Sequence, residues 1–163
     1  MFLGHPVYAL SVQVLAFLAS SGVGSMYSSR LFRSGRLTFA RTVLGLVALL
    51  LAYNQALPAI FHSELLGWPV AARIALSVAL IFPPAFLMGL LFPQGIRLVH
   101  AAAPALTPWA WGANSAASVL GAILALILSI HFGFTAVAVT AAAIYAGLCL
   151  PASALLLRAA REA

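Results

Sequence analysis

The chain has 163 residues, of which 64% are hydrophobic and only 6% charged, with a formal net charge of +6. A water-soluble domain carries roughly a quarter charged residues, so this chain lacks the polar coat of one, and its composition places it in a bilayer. Its eight cations are all arginines at the ends of apolar stretches, which excludes a nucleic-acid-binding surface and points to interfacial anchors and anionic headgroups.

The length supplies about five spans of ~20 residues and leaves little for a soluble catalytic domain. The chain reads as one all-α domain over residues 1–163, a polytopic membrane helical bundle of about five transmembrane helices. Helix is the default because lipid cannot satisfy free backbone groups, and no segment alternates with period two as a membrane barrel does. The opening Met1-Phe-Leu-Gly-His5-Pro6 lacks the positive start of a cleaved secretory signal.

The first helix is expected over about 5–28. It ends in Ser20-Ser-Gly22-Val-Gly24-Ser25, whose small residues either let two backbones approach closely or form a hinge at a gate. The second spans about 37–61 and carries Asn54 and Gln55 before Pro58; like Gln13 of the first, these should face protein.

The third helix, about 69–99, contains Pro83, Pro84 and Pro93 among Gly89, Gln94 and Gly95. Each proline removes a backbone donor, so the helix should kink, or break where it lines a cavity.

The fourth, about 108–132, opens on Pro108 and two interfacial tryptophans. Ala113, Ala117, Gly121 and Ala125 recur every four residues as a smooth stripe, with Asn114 and Ser118 in a second row. Asn114 needs an interhelical hydrogen bond, a freed carbonyl or a ligand. Gly133 then leaves almost no loop before a fifth helix over about 134–157, making a tight antiparallel hairpin.

Arginine count sets the orientation. Arg30, Arg33, Arg36, Arg41, Arg97, Arg158 and Arg161 fall on one side, and Arg73, near Glu64, on the other. The first group should be cytoplasmic and lipid-facing, with the N-terminus outside and the C-terminus inside a bacterial inner membrane. An odd number of helices entered from outside implies an upstream element.

His5, His62 and His131 map to the outer side and His100 to the inner. No ligand spacing accompanies them, so no metal or cofactor is expected. The only acids, Glu64 and Glu162, lie outside the helix cores. The chain has no phosphate loop, carboxylate pair or nucleophile–base pair, and no enzymatic activity is expected of it. Cys149 lies in an apolar run as a small packing residue.

Several segments in order carry a family likeness. Gly4-His5-Pro6-Val7-Tyr8-Ala9-Leu10, Ser21-Gly22-Val23-Gly24-Ser25, Phe86-Leu87-Met88-Gly89, Phe92-Pro93-Gln94-Gly95-Ile96-Arg97, Pro108-Trp109-Ala110-Trp111 with Asn114, Ser118 and Gly121, and Phe132-Gly133-Phe134 together resemble the second membrane half of polytopic spermidine synthase-like proteins. In that family, membrane helices are fused to an aminopropyltransferase-like domain, which this chain lacks. The resemblance implies a C-terminal membrane half, present as a fragment or a split-gene product. Its partners would be the bilayer and another membrane subunit or N-terminal half. The function expected is a non-enzymatic scaffold for a spermidine synthase-like partner. Two alternatives stand beside it: a small-molecule transport or binding module along the third helix, with Asn114 and Gln94, and an accessory subunit of an electron-transfer or photosynthetic membrane complex using an outer histidine.

Overall fold

The computed structural model describes residues 5–33, 39–60 and 67–159, with side chains at 5–33, 39–58 and 67–147. Four α-helices follow one another: α1 (Pro6–Arg33), α2 (Phe39–Ile60), α3 (Val70–Ala102) and α4 (Thr107–Ala159), the last preceded by a 3₁₀ turn at Pro104–Leu106. Among the described residues there is no strand. All four helices are long and apolar enough to cross a membrane.

The five apolar segments of the sequence therefore occupy four helices. The fourth and fifth form one helical run, α4, interrupted at Gly133 alone (φ 80°, ψ 173°). That backbone conformation is open essentially only to glycine. Residues 107–132 and 134–159 form two arms, and both line a single groove, with Leu128 and Val137 near the break and Asn114 and Tyr145 far from it.

α1 runs to Arg33, five residues beyond the expected end at Ser28. The segment Ser29–Arg33 is helix-compatible, and only its hydropathy, not its helicity, falls at the interface. α3 runs as one helix through Pro83, Pro84 and Pro93, and is not discontinuous. The carbonyls four residues upstream of those prolines, at Ala79, Leu80 and Gly89, lose their usual N–H donors. At 33 residues α3 is about 50 Å long, more than a hydrocarbon core of ~30 Å.

α1 and α3 run parallel and form the closest pair. Gln13 shares a cleft with Ile81, Ser21 abuts Gly89, and Ser28 meets Leu90, so the registers advance together. α2 runs against them. Its Val43 and Leu46 are buried with Leu91 of α3, flanked by Phe39, Leu50, Leu87 and Met88, and by Tyr145 from the second arm of α4. By contrast, no residue of 107–132 is buried.

This order gathers the arginines. Arg30 and Arg33 end α1, Arg41 opens α2, and Arg97 lies near the end of α3, all at one end of the bundle. Arg73 lies in the first turn of α3, at the opposite end. Arg36, Arg161, Glu64, Glu162 and His62, and the side chains of Arg158 and Cys149, lie outside the described residues.

Candidate functional site

The chain carries two small-residue faces, and the structure treats them differently. The first is on α1, where Ala16, Ser20, Gly24 and Ser28 are the buried residues, one every four positions. Side chains this small let helix backbones touch, which is how membrane helices gain packing energy without a hydrophobic drive. At Gly24 a Cβ would overlap the Phe86 carbonyl oxygen, and at Gly89 a Cβ would overlap Ser21 and lie 2.8 Å from its Cα. Gly24 thus packs on the Phe86–Gly89 backbone of α3, and Gly89 on the Ser21 backbone of α1.

Below it, the fully buried Ser28 hydroxyl donates to the Leu90 carbonyl at 3.0 Å. That carbonyl is next in line to the one Pro93 deprives of its donor. The Ser20 hydroxyl donates within its own helix, to Ala16 at 2.6 Å.

Gly22 stays out of this seam. Nothing lies within 4 Å of a Cβ built on it, and the residue is exposed. Two positions along a helix is about 200° of rotation, so Gly22 and Gly24 face nearly opposite directions. Gly22 instead borders a cleft of about 420 Å³ between α1, α3 and the first arm of α4, together with Ser21, Ser25, Met88, Gly89, Phe92, Pro93 and Asn114. The hydroxyl of Ser21 donates back to the Leu18 carbonyl at 3.1 Å.

The second small-residue face is on the first arm of α4. Ala117, Gly121 and Ala125, with Asn114 and Ser118, line a groove of about 650 Å³ whose other wall is Val137, Thr140, Ala141, Ile144 and Tyr145 of the second arm. Nothing lies within 4 Å of a Cβ built on Gly121, so this stripe, unlike that of α1, is open. The Ser118 hydroxyl is occupied by the Asn114 carbonyl at 2.8 Å, inside the helix.

The start of α4 is fixed to α3. Ala103 takes an extended conformation that reverses the chain, its N–H bonding Val99 at 2.8 Å. His100 and Thr107 share a hydrogen bond of 3.1 Å across the joint, and Trp111 meets Phe92 edge-on at 4.9 Å. Asn114 therefore stands about one turn deeper than Phe92, level with Gly89.

The structure brings together Gly24 and Gly89, and separately Gly22, Pro93 and Asn114. It does not bring Gln94 to Asn114: the Gln94 side-chain oxygen accepts from Arg97 at 3.4 Å. Gly95 contacts nothing within 4 Å at its Cβ position. Pro83 and Pro84 are half-buried in α3, between Phe82 and Phe86 in the chain, whose rings stack 5.7 Å apart. Gln13 and Gln55 are exposed rather than turned into the bundle, and Asn54 is half-buried.

The described histidines are used locally. His131 Nδ1–H donates to Ile127 at 3.0 Å, and His5 Nδ1 accepts from the Val7 N–H at 3.4 Å. Among the described residues no three His, Cys, Asp or Glu side chains converge on a point.

Sequence reading missed Ser28, although its signal was present: the four-residue spacing of Ala16, Ser20, Gly24 and Ser28 runs the length of helix one. The fold is a helical bundle whose four helices are long and apolar enough to span a membrane, consistent with a multi-pass membrane protein, and it carries one closed and one open small-residue face. Compared with known proteins, the chain matches no family model, no curated protein and no solved structure.

Proposed function

We propose that this chain is a non-enzymatic integral membrane domain that packs with another membrane half or subunit and scaffolds a spermidine synthase-like partner. The observation that supports it is the open stripe of Ala117, Gly121 and Ala125 on an arm with no buried residue. The same chain uses an equivalent stripe on α1 for backbone-to-backbone helix contact. A stripe of that kind gains packing energy only when a second helix lies on it.

In this reading the chain crosses a bacterial inner membrane five times, turning at Gly133, with α3 bent at its prolines. The end bearing Arg30, Arg33, Arg41 and Arg97 faces the cytoplasm, by the excess of arginine there, and the N-terminus lies outside. A cytoplasmic aminopropyltransferase-like domain would then stand beneath the arginine-bearing end.

The test is purification of the tagged chain from its native membrane in mild detergent, with mass spectrometry of what accompanies it. A stoichiometric partner with membrane helices or an aminopropyltransferase-like domain is expected, and its yield should fall when Gly121→Leu fills the stripe. A stable, monomeric chain with no such partner contradicts the proposal.

A further inference from the structure

Two adjoining clefts run along the α1–α3 pair. The deeper, about 420 Å³, is lined by Gln13, Phe17 and Ile81, and the other, also about 420 Å³, by Ser25, Pro93 and Asn114; they share Phe17 and Leu18. From Ser25 to Gln13 the helical rise is about 18 Å, close to one leaflet of a hydrocarbon core of ~30 Å.

The walls of this groove are ordered by depth. The deep part is apolar apart from Gln13. At its interfacial end stand the Ser25 hydroxyl and the Asn114 amide, neither hydrogen-bonded to another described residue. Farther out, on the last turns of the same two helices, come Arg33 and Arg97. No acidic side chain stands among the described residues to neutralise them, since the chain's two, Glu64 and Glu162, lie outside those residues.

From this sequence of cation, neutral hydrogen-bonding pair and apolar trough, we infer that the groove holds an anionic phospholipid. Its phosphate lies at the level of Arg33 and Arg97, a glycerol-ester carbonyl takes the Ser25 and Asn114 donors, and one acyl chain lies along Phe17 toward Gln13. Charge complementarity selects this occupant over a zwitterionic lipid, because cations near the surface attract net negative headgroups. The inference rests on membrane embedding and not on a partner subunit, since Ala117, Gly121 and Ala125 play no part in it and Asn114 is the one residue shared with the groove they line.

Native mass spectrometry of the full chain in mild detergent tests it, after incubation with equal amounts of dioleoyl phosphatidylglycerol and dioleoyl phosphatidylcholine. One phosphatidylglycerol per chain should be retained, in more than about tenfold excess over phosphatidylcholine. Arg33→Gln with Arg97→Gln should bring the two lipids to parity. Gly22→Leu fills the groove at a position where nothing else is within 4 Å, and should remove the bound lipid with helix content unchanged. If that variant loses helicity, Asn114→Leu on the exposed arm makes the same test. Equal retention of both lipids by the parent, unchanged preference in the arginine variant, or undiminished binding in the groove-filled variant overturns the assignment.

Discussion

Ser28 and Leu90 are joined across the α1–α3 seam by a hydroxyl-to-carbonyl hydrogen bond of 3.0 Å, with Ser28 fully buried. Hydrogen bonds between membrane helices contribute about 0.6 kcal/mol on average and at most about 1.7 kcal/mol. Ser28→Ala should therefore lower the stability of the chain in detergent by roughly 0.5–1.5 kcal/mol. Unfolding in SDS-containing mixed micelles measures this, and an unchanged midpoint would show the bond to be idle.

The glycines beside it should be far less tolerant. Gly24→Ala or Gly89→Ala places a methyl group on a facing backbone carbonyl, which no rotamer change can relieve. Each should cost about 1–3 kcal/mol through forced separation of the helices. Gly22→Ala, with open space around it, should be neutral or mildly stabilising. Thermal unfolding of the three variants in one detergent separates them; equal losses at Gly22 and Gly24 would refute the assigned seam.

Gly133 should be irreplaceable for a different reason. Its positive φ with extended ψ is closed to residues with a Cβ at a cost of order 1–3 kcal/mol, so Gly133→Ala should open the angle between the arms of α4. Spin labels at Ala117→Cys and Ala141→Cys, with Cys149→Ser, report it: their separation should lengthen in the Gly133→Ala background.

The arginine-bearing end and the Arg73 end should react from opposite sides of the membrane. Single cysteines at Ser29 and at Gly67, again with Cys149→Ser, should be labelled by an impermeant maleimide from opposite faces of oriented vesicles. Labelling of both from one face would contradict the parallel course of α1 and α3.

Much of this architecture was legible because membrane composition leaves few choices. Apolar length located the helical stretches but counted five where the structure has four, because the expected fourth and fifth are one run, α4, interrupted only at Gly133. What composition could not reveal is which face of a helix meets a neighbour. Gly22 and Gly24 are alike in sequence, and only the approach of Phe86 and Gly89 distinguishes them. Gly89 reads as part of a cavity wall beside Pro93 and does border that cleft, but its approach to the Ser21 backbone is not visible in the sequence. Gln94 reads as a cavity residue beside Asn114, but helical spacing hands its side chain to Arg97 three residues on. α1 continues to Arg33 past its hydropathy boundary, because hydropathy reports where lipid stops, not where hydrogen bonding along the helix stops.

In the proposed function, the open stripe on the first arm of α4 receives a helix from another membrane segment. A photo-crosslinking benzoylphenylalanine in place of Ala125, activated in native membranes, tests it most directly, with the same residue at Leu15 on the exposed side of α1 as the control. A discrete protein adduct is expected from Ala125, abolished by Gly121→Leu, and only lipid adducts from Leu15. Lipid adducts alone from both positions would contradict it.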